Sequence, residues 1–294
     1  MNEIGSLSGQ TGRQTFFSDA WLRLKRNRLA MVGLVIILLL FVIAIFAPVI
    51  APYDPNEQNL QESHALPGAK HLLGADKHGR DMLSRMIYGT RISLLVGFLP
   101  QFVSLLLAIV LGLVSGYYGG WVDDLIMRLA DAFFAFPSLL FMMALMFVLG
   151  ANQGLLGIVL GLGIVGWAGR ARIMRGQVLS IRERAYVESA RAVGAGTSRI
   201  IFRHILPNCL APLIVSTTMA IPGAIMAEAG LSFIGLGIAP PTATWGQMLQ
   251  TGREYLRQFP WLSIWPGMAI LITVLAFNLF GDGLRDALDP YLKR

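Results

Sequence analysis

The chain alternates between long uncharged apolar runs and shorter polar stretches. Leu29 to Ile50 carries no charge and is mostly Leu, Ile, Val and Phe. About 20 apolar residues in a helix cross the hydrocarbon core of a bilayer, so this run predicts a first membrane span. It is too long for a signal-peptide core, and Pro48 and Pro52 fall where a cleavage region would lie, so the span is read as retained. Ile92 to Gly116 predicts a second span, with Tyr117 to Gly120 as a turn. Ala132 to Gly169 is uncharged for 38 residues, too long for one crossing. A break at Gly150 to Gly154 divides it, and the third and fourth spans are expected at 125–149 and 154–169. Cys209 to Ala227 predicts a fifth span bent by Pro212 and Pro222, and Trp261 to Phe280 a sixth. Leu231 to Trp245 is apolar but rich in Gly and Pro. A re-entrant segment, an interfacial segment and an extension of the fifth span all fit it.

Composition agrees with lipid as the solvent. Of 294 residues, 55% are hydrophobic and 14% charged, against about 25% charged in an average soluble domain. This excludes an ordinary soluble enzyme, a disordered chain and a disulfide scaffold. The lone Cys209 excludes an intramolecular disulfide and a cysteine metal cage. The net charge of +7 is unevenly placed. Five Lys and Arg lie in residues 1–28, eight arginines in 170–208 and three basic residues after Phe280, against seven on the opposite side of six spans. The positive-inside rule then places both termini and the 170–208 loop in the cytoplasm. A basic groove with interleaved aromatics, which a nucleic-acid partner would want, is not seen.

The 170–208 loop has helical periodicity. Tyr186, Ala190 and Val193 share one face of a helix expected from Ile181 to Val193, and Arg184, Glu188 and Arg191 share another with ion-pair spacing. Gly194 to Gly196 breaks that helix. Thr197 or Ser198 is expected to cap a second short helix through Arg203, ended by Pro207. Such a knob is either a surface helix held by anionic lipid or a docking element for a cytoplasmic protein.

Glu188-Ser-Ala-Arg-Ala-Val-Gly194, followed by Leu206-Pro207, resembles the EAA loop of importer-type ABC permeases, with Ser189 in place of the first alanine. His204-Ile-Leu-Pro-Asn208 resembles its peptide-transport branch. So do the 73–85 segment, the Pro240-Pro241 and Trp245-Gly246 stretch, the basic run from Trp21 to Leu29 and the 281–290 tail. The chain is therefore identified as resembling a C-type permease subunit of the dipeptide/oligopeptide/nickel importer family.

The resemblance implies an all-α integral membrane protein with six transmembrane helices and a cytoplasmic coupling helix. Its parts would be a cytoplasmic segment 1–28, a first span with an extracytoplasmic segment 29–90, a five-helix core 91–280 and a cytoplasmic tail 281–294. It implies a plasma membrane location in a bacterium or archaeon and di- or oligopeptide cargo, with nickel or oligosaccharides as alternatives. The implied partners are a second, homologous permease, two cytoplasmic ATPases and an extracytoplasmic binding protein. The chain has no G-x-x-x-x-G-K-[ST] loop, so ATP and Mg are expected on the ATPase partners, with no cofactor here. Coupling is expected at Arg184, Tyr186, Glu188, Ser189, Ala190, Gly194, Leu206 and Pro207, with Glu188 paired to Arg184 or Arg191.

Other signals are weighed against this reading. Gly161, Gly163 and Gly166 match G-x-G-x-x-G but lie inside a span, where close helix packing explains them, as it explains Gly112 and Gly116. His64, His71 and His78 match no common zinc spacing and are read as a polar outer loop. Arg128 is expected to neutralise Asp124 and Asp131. Glu228 stands alone between Ala211 and Arg253, where an acid is either a candidate for the translocation path or sits in water at the outer surface. A proton-coupled transporter would use Glu228 and Asp131 and show inverted repeats. An intramembrane enzyme would need a nucleophile–base pair or an H-E-x-x-H helix. Neither class accounts for the 170–208 loop.

Overall fold

A computed structural model describes residues 16–149 and 154–288, so most of the break expected at 150–154 lies outside the described residues. Among the described residues the regular elements are helical, apart from one bridge pairing Ala75 with Asp81. The first helix, α1 (Phe16–Arg26), is separated from α2 (Arg28–Ile45) by Asn27 alone. The Asn27 carboxamide oxygen accepts the Ala30 N–H at 3.1 Å and caps α2. A single turn, α3 (Ala47–Ile50), ends the first apolar run with Pro48 in its opening positions, where a missing N–H costs nothing.

Residues 51–81 fold as a polar cap over the start of α4 (Met82–Tyr118). That helix begins at Met82, not at Ile92, because its polar first turn is satisfied locally. The Asp81 carboxylate accepts the Ser84 N–H and hydroxyl, each at 2.7 Å. Arg85, fully buried, donates to the Pro55 carbonyl at 2.9 Å and the Gln247 carboxamide at 3.2 Å. At 37 residues α4 is about 55 Å long, well beyond the hydrocarbon thickness.

The chain reverses at Gly119 and Gly120, whose φ of 67° and 58° suit glycine; Tyr117 and Tyr118 stay helical. The expected third span is not one rod. It is α5 (Gly120–Ala135) and α6 (Ser138–Leu149), bent by 95°. Pro137 forces the residue before it out of the α region, and Phe136 is extended at φ −104° and ψ 138°.

The fourth span also departs from expectation. Its helix, α7 (Gly154–Arg182), does not stop at Gly169 but runs through Arg170, Arg172 and Arg175. The helix expected from Ile181 to Val193 is split at Glu183–Arg184, leaving α8 (Ala185–Ala192). Then α9 (Thr197–Ile200) passes through a π-helical turn, Ile201–Ile205, directly into α10 (Leu206–Phe233). Neither Thr197 nor Ser198 caps α9, whose N-cap is Gly196. Pro207 ends nothing, because it sits in the first turn of α10, where its ring is tolerated. The 231–245 stretch extends α10 to Phe233, then turns and enters α11 (Trp245–Arg253), and α12 (Trp261–Leu288) completes the chain.

The α4–α7 pair is the most closely apposed. A Cβ on Gly112 would meet the Ala171 carbonyl and the Met174 side chain at 2.6 Å, and one on Gly116 would meet Val178 at 2.8 Å. Side chains are absent there so that the two backbones can touch. A second core joins α2, α4, α10 and α12 through Ile37, Leu94, Ile221, Ile225, Ile270 and Phe277. Leu24 of α1, Ala30 of α2 and Ala287 of α12 pack together, so both described ends of the chain lie at one face of the bundle.

Candidate functional site

A knob formed by α8 and α9 stands at one end of the α4, α7 and α10 rods. Val187, Ile200, Ile201 and Ile205 are buried against Met174, Val178 and Ile181 of α7, Leu113 of α4 and Cys209 and Leu213 of α10. Arg182 donates to the Gly116 carbonyl at 2.9 Å, pinning the end of α7 to that of α4. The knob is therefore seated on three rods at once.

Of the expected coupling residues, Arg184, Tyr186, Glu188, Ser189, Gly194 and Pro207 are exposed, and Ala190 and Leu206 are half-buried. Arg184 is the N-cap of α8, and its carbonyl accepts the Val187 and Glu188 N–H groups at 2.8 and 3.1 Å. Ser189 donates its hydroxyl to the Ala185 carbonyl at 2.8 Å. The Ala190 carbonyl accepts the Ala195 N–H at 3.0 Å across the glycine turn, where Gly194 has φ 82°. Leu206 and Pro207 open α10, with Leu206 against the core and Pro207 exposed. On the face shared by Tyr186, Ala190 and Val193, Tyr186 is 46% and Val193 85% exposed and Ala190 is half-buried, and the buried anchor of α8 is Val187. A single β-branched residue of α8, with no apolar stripe around it, carries the packing. Glu188 makes no ion pair with Arg184 or Arg191 among the described residues.

The arginines placed in a loop by hydropathy hold α7 to its neighbours. Arg175 makes two bonds to the Asp123 carboxylate, at 2.6 and 2.5 Å, and Ser115 of α4 donates to the same carboxylate at 2.5 Å. Asp131 pairs with Arg172 instead of Arg128, since α7 runs alongside α5 at that level. Arg170 is buried, donating to Gln101 and Ser104 of α4 and to the Gly166 carbonyl at 3.3 Å. Glutamine and serine inside an apolar α4 were the available hint to it.

At the opposite end, Glu228 is 1% exposed. Its Oε1 accepts the hydroxyls of Ser232 at 2.8 Å and Thr244 at 2.9 Å, so it does not stand alone. Thr244 also accepts the Gln247 N–H at 3.0 Å as the cap of α11. Glu228 thus fastens α11 to α10. In the polar cap, Asp76 binds Arg80 at 2.7 Å and lies 3.7 Å from Arg85. The His71 ring bridges Asp81 at 2.8 Å and Glu62 at 3.0 Å. His64 packs on the rings of Tyr255 and Phe259, each at 4.5 Å. No group of three metal-ligating side chains forms among the described residues. The Gly161 and Gly163 backbones abut Met142 and Val103.

Five apolar helices and a bent pair long enough to cross a bilayer, with a compact knob on the longest rods, are the architecture of a multi-pass membrane protein. The chain belongs to the family of binding-protein-dependent transport system inner membrane components, which matches residues 108–294. Residues 15–67 match the N-terminal TM domain of oligopeptide transport permease C. The chain is 43% identical over 280 residues to the oligopeptide transport system permease protein OppC of Bacillus subtilis (strain 168), covering 95% of this chain and 91% of that protein. It is 46% identical over 281 residues to the di/tripeptide permease protein DppC of Pseudomonas aeruginosa (strain UCBPP-PA14), covering 94% and 92%. It is 42% identical over 281 residues to the glutathione permease protein GsiD of Escherichia coli O6:K15:H31 (strain 536 / UPEC), covering 95% and 92%. The fold is that of the MetNI methionine ABC transporter in an inward-facing conformation, with a TM-score of 0.57 at 18% identity, over 71% of this chain and 98% of that one.

Proposed function

We propose that the chain is the membrane-spanning subunit through which an ATP-driven importer passes di- or oligopeptides, and that α8 with its glycine turn is the coupling element. The exposed apolar side chains of Tyr186 and Val193 carry this reading, because α8 is anchored by Val187 yet leaves them largely open among the described residues. The chain is not itself catalytic. ATP and Mg belong on two cytoplasmic ATPase partners, one receiving this knob. A second, homologous permease completes the pathway, and an extracytoplasmic binding protein delivers the cargo. Both termini and the knob face the cytoplasm of a cell whose plasma membrane the chain spans, in keeping with sixteen basic residues on that side against seven opposite. Peptide cargo is supported by the printed names of relatives at 43% and 46% identity, and the glutathione permease relative fits as well, since glutathione is a tripeptide.

Closure of the ATPase pair would pull on Arg184 to Gly194. Because Val187 and Ile200 are packed on α7 and α10, the pull would move those rods as rigid levers. Uptake of a labelled peptide by cells carrying Glu188→Lys or Gly194→Trp tests the proposal, with a blot of the membrane fraction. Loss of uptake at normal membrane abundance is expected, and normal uptake in both would refute the coupling role. Glu228→Gln separates a path role from a fastening role. Its carboxamide oxygen can still accept from Ser232 and Thr244. Fastening predicts unchanged uptake, whereas a path wall that attracts cationic groups predicts a raised KM.

A further inference from the structure

α1 has two unlike sides. Ala20 and Leu24, one turn apart, are buried, Leu24 against Ala30 of α2 and Ala287 of α12. The other side shows Trp21 at 44% and Leu22 at 50% exposure, then Lys25 and Arg26 on the next turn, with Arg28 just past the Asn27 break. The Lys25 ammonium lies 5.2 Å from the centre of the Trp21 ring. The acids nearest in sequence or on the packed end of α12 are Asp19, Asp282 and Asp286. None of them comes within ion-pair distance of Lys25, Arg26 or Arg28 among the described residues.

A larger exposed apolar surface follows in sequence. Leu29, Val32, Val35, Leu39 and Val42 line one exposed face of α2, the face a span turns to lipid. Trp21 and Leu22, likewise exposed, precede the start of that span by about two helical turns of sequence. An indole with ammonium and guanidinium groups beside it fits the depth where acyl chains give way to headgroups: the ring stays in the apolar boundary while the long basic side chains reach outward. Three exposed cations within four residues, with no acid paired to them among the described residues, favour phosphate-bearing lipids of net negative charge over zwitterionic ones.

We propose that α1 and the Asn27 break form a docking surface for anionic phospholipid headgroups, with Lys25, Arg26 and Arg28 meeting phosphate and Trp21 and Leu22 entering the acyl boundary. The leaflet concerned, the cytoplasmic one, rests on the orientation proposed above.

The assembled transporter, reconstituted in nanodiscs, is exposed to photoactivatable phosphatidylglycerol or phosphatidylcholine, and the cross-linked peptides are mapped by mass spectrometry. Labelling of residues 19–29 by phosphatidylglycerol should exceed that by phosphatidylcholine by about fivefold or more. Lys25→Gln, Arg26→Gln and Arg28→Gln combined should bring the two to parity while labelling of α2 persists. Trp21→Ala should lower labelling by both lipids. Equal labelling of the wild type, or a phosphatidylglycerol preference that survives the triple substitution, would overturn the proposal. The orientation is read separately with a membrane-impermeant maleimide on Asp19→Cys in sealed vesicles. Labelling from the outer side would reject the cytoplasmic placement and leave the lipid preference standing.

Discussion

Gly194 shows how a single residue can be required for its backbone alone. Its φ is 82°, yet no atom lies within 4 Å of where a Cβ would stand. Space permits any side chain within the chain itself, and only the left-handed conformation excludes most. Gly194→Asn should therefore keep the turn, since asparagine tolerates that region, whereas Gly194→Val should lose it. Peptide uptake and membrane abundance measured for both variants check this, and uptake lost in both would point to a partner that touches the position. His71 makes a different kind of claim. Burial pushes its imidazole down, but hydrogen bonds with Glu62 and Asp81 outweigh that and hold it above its ordinary value of 6.5. With a carboxylate on each ring nitrogen, both nitrogens must donate, so the ring is an imidazolium. The native state binds this proton more tightly than the unfolded chain does. The stabilisation is complete below about pH 6.5 and is lost as pH rises through the folded value. Thermal unfolding followed from pH 5 to 9 should show a midpoint falling with pH in the wild type and a flatter profile in His71→Gln. The spacing of the three histidines gave no sign of this arrangement, because the chain brings Glu62 and Asp81 to His71 only when the cap folds.

At the scale of the helix, the contacts of α4 and α7 explain both what was legible and what was not. Gly112 and Gly116 stand four apart in an apolar run, and a face without side chains could be read from that spacing. Gly116→Leu would drive a side chain into Val178 and the Arg175 carbonyl. Overpacking of this kind costs about 1–3 kcal/mol, and the variant should show a lower melting midpoint in detergent than Gly223→Leu, where nothing lies within 4 Å. The end of α7 was illegible for a definite reason. Hydropathy records where charge begins, but a helix continues past charge whenever the neighbouring elements answer it. Arg170 is met by Gln101 and Ser104, Arg172 by Asp131 and Arg175 by Asp123, and each partner lies 41 or more residues away in sequence. The bend between α5 and α6 had a local sign in Phe136-Pro137, overlooked because both residues are apolar and left the uncharged run intact.

For the whole molecule, the distribution of apolar surface matters more than its amount. Only 22% of α2 is buried, at a mean hydropathy of 2.9, so this helix leans on α12 and α4 with one side and gives the rest to lipid. Leu38, 53% exposed near the middle of α2, should tolerate Ile or Phe. Leu38→Arg at that depth should cost about 2.5–3.5 kcal/mol of insertion and reduce the chain recovered in the membrane fraction. Ile37→Val, beside it but in the core, should cost about 0.5–1.5 kcal/mol and leave insertion intact. The five or six spans were legible from charge and hydropathy alone. How the spans divide between partner and lipid was not, because an apolar side chain carries the same hydropathy in either place.

The turn at Ile201–Ile205 sets the phase between the knob and the rod below it. There the Leu206 N–H bonds to the Ile201 carbonyl five residues back, in place of four. A π turn thus carries one residue more than an α-helix of the same length. Each residue is about 100° of rotation, so α9 is clocked round the axis of α10 by roughly that amount relative to an unbroken helix. The same sequence wound as a plain α-helix would face the exposed stripe of α8 in another direction. Insertion or loss of one residue here would re-aim the knob without changing any side chain that touches a partner.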